Sequence, residues 1–488
     1  MENTGRIAHG IYTELRELLY SSKHIDLAGN EMSVGADVDS AHIIMLYECG
    51  YLPDISVTKL LNLINELRTN NFKELQGRDN SRGAYTLYED YLIEKLGIDT
   101  AGSLQLARSR NDRNAAITKL RARNIYIKLV KELLSLQGVL LNSAEKYAAV
   151  TMPVYTHYQA AQPIVLGHYL AGIAQSVDYS LSMLLHIAEE LNESPLGAGA
   201  IAGTSIKIDT LRTAELLGFT KAPLNSIYSI ASRDYILRIL SVLAVMCPMF
   251  SRYASDLLIW SSSESGMISF PDELVGASSM MPQKRNAFML EHIQGASAKA
   301  AGALIAALSA QHSVPYSNSI AVNAESLSYF WQAAADMNKV IILTRYMTDG
   351  IIPDTARMVD LCRKNYTSAT AAADFLTING NIPFREAHKA VGAIIKEIEE
   401  NKEDTDNGKL FTEKLTEQFS GIRDEMLDPA YIASVSEYGG GPGRNSVKNC
   451  INELKDKTKN YQSFFSGTER AWAESASKLS QTVHKFIK

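Results

Sequence analysis

The sequence predicts an all-α protein built around a bundle of long helices, and three observations carry that prediction. Apolar residues recur at helical spacing over many turns in the middle of the chain. Runs such as "AGALIAALSA" and "LAVMC" are apolar nearly all round, which suits helices buried on several sides in a bundle or against other subunits. Strand-like alternation is sparse throughout. At 488 residues the chain is too long for one small core, and roughly two to four structural units are expected.

Three units are read along it. Residues 1–107 form a mixed N-terminal helical domain of shorter helices and loops. Residues 108–353 form the central helical bundle. Its first helix follows "SRND" and carries Ile117, Leu120, Ile127, Val130, Leu134 and Leu141 on one face, with Asn111 or Asp112 as the cap. Pro163 opens a second long helix reaching Glu190, since proline is tolerated in a first turn. Ser232–Ser261, Asn286–His312 and Ala324–Thr348 read as the third, fourth and fifth. Residues 354–488 regain charge and form a small C-terminal helical domain, with "NKEDTDNG" as a solvated loop and "EYGGGPGRN" as a turn.

Composition excludes several classes. A formal net charge of −6 with no basic tract argues against a nucleic-acid scaffold. Cys49, Cys247, Cys362 and Cys450 are far apart, so a disulfide framework and a zinc site are not expected, and reduced cytosolic thiols are. The N-terminus "MENTGRIAHGIYTELRELL" lacks the basic start and apolar core of a secretory signal. "YILRILSVLAVMCPMF" is interrupted by Arg238 and Pro248 and is shorter than a bilayer span, so it reads as a buried helix. A soluble, cytoplasmic protein is expected.

Four segments carry chemistry, each with a plainer reading. "SPLGAGAIAGTS" misses the dinucleotide spacing and has neither a preceding strand nor a Gly-Lys-Ser/Thr, so it reads as a connection whose N–H groups remain open to a site. "SRND" places Arg110 and Asn111 where a helix N-terminus attracts anions, though such a pattern is commonly only a helix start. "MPVYTHYQAAQP" sets Thr156, His157, Gln159 and Gln162 in one proline-bracketed link; a lone histidine there is usually structural, and one among hydroxyl and amide donors points to a polar site. "GASSMMPQKRN" puts serines near Lys284, and serine reacts only where nearby charge and N–H groups activate it. Alone, it would read as a polar loop with a solvated Lys-Arg pair.

Together these segments, with "DFLTINGNIPFREAH", resemble in content and order the blocks of the argininosuccinate lyase family of the fumarase/aspartase superfamily, across nearly the whole chain. The resemblance implies a homotetramer whose subunits pool five long helices each in a twenty-helix core, with each active site drawing on three subunits. It implies no metal and no organic cofactor. The reaction it implies is β-elimination of an N-substituted aspartate to fumarate and an amine. Ser278 is then the base, Lys284 and Asn286 stabilise charge, and His157 assists proton delivery to the amine. Arg110, Asn111, Thr156 and Ser279 bind the succinyl half, with Ser109, Gln159 and Met281 beside them.

The departures from the family pattern cluster. A glycine before the paired serines is Ala277 here. A Ser/Asp pattern aligns with His24 and Ala28, a Glu-Asp-x-His segment with Arg82, Gly83, Ala84 and Tyr85, and a Tyr-Asn-Lys/Arg-Asp-Leu-Gln segment with Asn318 to Asn323 (Asn318, Ser319, Ile320, Ala321, Val322, Asn323). An Asp-Arg-Asp pattern reads Ser232, Arg233 and Asp234. Such groups would hold the amine half, and each lost buried partner costs about 1 kcal/mol or more. The leading expectation is therefore a carbon–nitrogen lyase whose amine is not arginine. Authentic argininosuccinate lyase is the second, and an inactive structural or storage protein the third.

Overall fold

The computed structural model describes residues 12–15, 30–78, 84–401 and 406–487. It is helical, as the sequence predicts, with three two-stranded sheets among the described residues. Helix α1, Glu31–Glu48, starts where the Asn30 side chain accepts the Met32 and Ser33 N–H groups. The five long bundle helices are α2 (Arg110–Lys146), α3 (Leu166–Leu191), α4 (Asp234–Trp260), α5 (Phe288–Gln311) and α6 (Ser326–Asp349). Beyond them come α7 (Phe384–Asn401) and the 43-residue α8 (Arg444–Phe486).

Two local readings need correction. The cap of α2 is Ser109, not Asn111 or Asp112. The Ser109 hydroxyl accepts the Asn111 N–H at 3.2 Å, and the Asp112 carboxylate accepts the Ser109 N–H at 2.9 Å, closing a capping box. Pro163 does not open a helix. It lies in an antiparallel hairpin of β1 (Thr151–Thr156) and β2 (Gln159–Val165), directly opposite Pro153, and α3 begins three residues later at Leu166. A two-stranded ladder has only edge strands, so both prolines are tolerated.

In the bundle, α2 packs on α3 and α6, and α4 packs on α3, α5 and α6. Leu129, Leu133, Leu181, Leu240, Leu243, Ile293, Phe330 and Met337 meet in its core. Helix α4 runs 27 residues, so it is long and apolar enough to cross a membrane, contrary to the shorter span read from the sequence. Here it packs within the bundle, with Ile236, Leu240, Leu243 and Phe250 buried. A second core joins α1 to residues 57–104, the start of α2 and Leu479 of α8. A third lies in residues 372–427. Within the 354–488 segment, α8 lies apart from that third core and runs along α2 and α3 through Val447, Ile451, Leu454 and Trp472.

The bundle's outer faces retain large apolar side chains: Tyr179, Met183, Val245, Ile305 and Leu308 are all exposed in the single chain.

Candidate active site

The "SRND" segment is held from behind by buried charge. Asp39, inside α1, accepts from Arg108 at 2.8 Å and from Arg113 at 2.8 and 2.9 Å. Burial works against the Asp39 charge, but the two guanidiniums more than offset it and hold the carboxyl below its ordinary value. Arg113 also stacks on the Tyr85 ring, 4.3 Å from its centroid. Tyr85 takes a hydrogen bond from Gln105, and burial pushes its hydroxyl up to about 12. Buried His42 is pushed well below its ordinary pKa, and its Nε2–H donates to the Leu106 carbonyl at 3.0 Å.

Sequence reasoning missed this network because its partners lie far apart along the chain. The available signal was Asp39 itself, a carboxylate on a helix buried nearly all round. Forward of it, Arg110 is exposed and reaches Thr86 at 3.4 Å, while the Asn111 amide donates to the Ala200 carbonyl at 2.9 Å. Asp112 accepts the Gly197 and Gly199 N–H groups at 3.1 Å each. Those N–H groups are therefore committed to holding the glycine-rich connection against α2, and are not open to a ligand. Burial raises the Asp112 pKa despite these bonds. The close approach explains Gly199: its φ is +59°, and a Cβ there would lie 2.6 Å from the Gly203 carbonyl.

The hairpin presents Thr156, His157, Tyr158 and Gln159 at its tip, all exposed. His157 and Tyr158 form a two-residue turn with φ of +53° and +61°. That left-handed geometry suits the twist of a hairpin, but it normally calls for Asn or Gly. The base of the hairpin is packed against residues 355–364 and 429–435.

The third segment is a loop closed by β4 (Gly276–Ala277) and β5 (Arg285–Asn286), paired Gly276 to Asn286 and Ala277 to Arg285. Arg285 is not a stray cation. It pairs with Asp272 and donates to the Phe270 carbonyl at 2.8 Å. The Ser278 hydroxyl oxygen accepts the Met281 N–H at 3.0 Å and the Met280 N–H at 3.4 Å. Ser279, Met281 and Lys284 are exposed along the loop, and Asn286 is half-buried at its foot.

One chain does not bring these segments together. Ser109, Arg110 and Asn111 start α2, and the hairpin follows its last turn, so 37 helical residues put them about 55 Å apart. The Ser278 loop belongs to the hairpin's end. Tyr147, just past α2, donates to the Ile351 carbonyl at 2.6 Å, and the next two residues, β6 (Ile352–Pro353), pair with β3 (Ile268–Ser269) shortly before the loop. The altered Asn318 to Asn323 segment lies at the other end. It leads into α6, whose Trp331 stacks under Arg121 of α2 at 4.6 Å. Tyr85 sits behind "SRND" in the same region, whereas His24, Ala28, Arg82 and Gly83 lie outside the described residues. Among the described residues no group of three His, Cys, Asp or Glu side chains is placed to hold a metal ion.

The family model described as Lyase matches residues 61–302, and that described as Argininosuccinate lyase C-terminal matches residues 366–432. Argininosuccinate lyase from Methanocaldococcus jannaschii is 30% identical over 87% of this chain and 88% of its own length. The enzyme of the same name from Geobacillus thermodenitrificans is 33% identical over 86% of this chain and 91% of its own. Among solved structures, EDDS lyase in complex with formate superposes with a TM-score of 0.86 at 28% identity, covering 100% of this chain and 98% of that one. The 3-carboxy-cis,cis-muconate lactonizing enzyme from Pseudomonas putida, at 18% identity and a TM-score of 0.73 over 91% of this chain and 97% of that one, shares the fold.

Proposed function

This chain belongs to the argininosuccinate lyase family of the fumarase/aspartase superfamily and is a carbon–nitrogen lyase; from that premise we propose that it eliminates an amine other than arginine from an N-substituted L-aspartate, leaving fumarate. Ser278, Lys284, Asn286, Arg110, Asn111 and His157 are all present, which speaks against the inert structural reading, since an inert protein needs none of them. The observation that carries the mechanism is the Ser278 oxygen, which already receives two backbone N–H groups. Donors aimed at a hydroxyl oxygen favour its deprotonated form, as a serine base requires.

In the proposed reaction Ser278 takes the proton from the carbon next to the substrate's β-carboxylate. The carboxylate then carries the developing negative charge, with Lys284 and Asn286 beside it. The electron pair forms the carbon–carbon double bond as the C–N bond breaks. His157, directly or through a relay, returns a proton to the departing amine. Arg110, Asn111, Thr156 and Ser279 hold the succinyl carboxylates, with Ser109, Gln159 and Met281 beside them.

The separation of these groups along α2 supports a site assembled from several copies, and the exposed Tyr179, Met183, Val245, Ile305 and Leu308 supply apolar surface for such contacts. We read a cytoplasmic homotetramer that needs neither metal nor organic cofactor.

The choice of an amine other than arginine rests on the altered segments. At the position where the family pattern has a histidine, Tyr85 is occupied by Gln105 and Arg113. The second reading, argininosuccinate itself, is favoured by the names of the curated relatives. Fumarate absorbance with purified protein decides between them. Turnover of argininosuccinate at about 1 per second or faster establishes the second reading. Fumarate consumption with other amines and none with arginine establishes the first.

A further inference from the structure

A cavity of about 70 Å³ lies beside "SRND", walled by α2, the end of α3, the start of α4 and the short helix Ser226–Ala231. Its lining is unusual in what it leaves unpaired. Arg233 is only 2% exposed; its Nη1 donates to the Ser232 and Ile230 carbonyls at 2.6 and 3.3 Å, while its Nε has no partner. The Tyr235 hydroxyl, on a residue 4% exposed, also has none. The Lys119 ammonium donates to the Glu193 carbonyl at 2.8 Å and sits 5.2 Å from the centre of the Tyr235 ring.

Among the described residues no carboxylate forms an ion pair with Lys119 or Arg233. Glu190 is paired with Arg238, and the Glu193 carboxylate accepts the Leu224 N–H at 3.3 Å. The Glu193 and Glu190 charges act on Lys119 from beyond pairing distance, but no carboxylate is among the groups that act on Arg233. A desolvated guanidinium without a counter-charge and buried donors without an acceptor are both costly, and one anion in the cavity answers both.

We propose that this cavity is an anion site that takes one monovalent anion of halide or carboxylate size, held by Arg233, Lys119 and the Tyr235 hydroxyl. Its place in the fold ties it to the substrate. Asn111, Ala115 and Lys119 follow one another at every fourth residue, so they share one face of α2, and Lys119 lies about 12 Å along the axis from Asn111. The anion is therefore either a free ion or a carboxylate belonging to the amine half of the substrate. The second source rests on the lyase reading; the site itself does not.

Burial pushes the Lys119 pKa down to about 8, and an anion favours its charged form, so affinity falls as pH rises above that value. Tyr235, raised to about 12 by burial, remains a donor there. Tyr228 also faces the cavity, and the Glu190 and Glu193 carboxylates at its wall are engaged as described.

Bromide soaked into crystals of the full chain tests the site without any need for activity. Anomalous density between Arg233, Lys119 and Tyr235 is expected, displaced by a carboxylate-bearing amine product if the substrate is the source and retained if a free ion is. Water alone at that position overturns the proposal. In solution, the chloride-dependent rise in Tm should need at least tenfold more chloride in Lys119→Met and Tyr235→Phe, changes milder than loss of Arg233. It should also weaken several-fold from pH 7 to pH 9. Variants with a wild-type chloride response overturn it equally.

Discussion

At the foot of the Ser278 loop, the Arg285 guanidinium is paired with the Asp272 carboxylate and bonded to the Phe270 carbonyl. This pair fixes where the loop leaves the body of the protein while Ser279 to Lys284 project into solvent. Arg285→Met should leave the fold intact and lower kcat roughly tenfold to a hundredfold by misplacing the loop. Ser278→Ala should lower kcat by about a thousandfold or more at unchanged Tm, since it removes the proposed base itself. Steady-state kinetics beside thermal unfolding separates the two. A Ser278→Ala variant with full activity removes Ser278 from that role.

The tip of the hairpin should show opposing effects of neighbouring substitutions. Tyr158→Gly relieves a left-handed φ of +61° and should raise stability by up to about 1 kcal/mol. His157→Ala removes the proposed proton donor, and kcat should fall by about 100-fold to 10,000-fold. Denaturant midpoints and kcat on the same preparations check both.

Asp39 should account for part of the protein's acid sensitivity. Its folded pKa lies below the ordinary 3.8, so its stabilising contribution is complete above that value and is lost as pH falls through the folded pKa. At pH 7, Asp39→Asn should cost about 3–5 kcal/mol by leaving Arg108 and Arg113 without their carboxylate. The gap between wild type and variant should narrow as pH falls from 3.8 toward the folded pKa and close below the folded pKa, where both side chains are neutral. Urea unfolding as a function of pH measures it.

Mixing two inactive variants should restore activity if each site draws on several chains. Arg110 and His157 stand at opposite ends of α2, so they reach one site only from different copies. After random reassembly of Arg110→Met with His157→Ala, about one quarter of wild-type activity is expected, because a site then needs one intact group from each of two chains. No recovery above either parent excludes the shared site.

Helical class, the five bundle helices and the family's motif blocks were legible in the sequence because periodicity and motif are local. What was lost was non-local or contrary to local preference. The hairpin was hidden by Pro153 and Pro163 in its strands and by a His-Tyr turn where Asn-Gly is usual. Asp112 looked like a cap because its second role, gripping Gly197 and Gly199, joins residues 85 and 87 positions apart. Arg285 looked idle because Asp272 lies thirteen residues upstream, across a turn that only folding creates. Gly35, Asp39 and Arg113 carry no motif at all, and their association is a matter of packing: a Cβ on Gly35 would stand 2.7 Å from the Arg113 guanidinium.

The length of α2 has a consequence for how the protein behaves in a test tube. In the proposed shared site, a helix that keeps Arg110 and His157 apart would leave the lone subunit catalytically silent, however well folded. Specific activity should then depend on protein concentration, collapsing on dilution below the assembly constant and returning on reconcentration, with dilution itself acting as a reversible inhibitor.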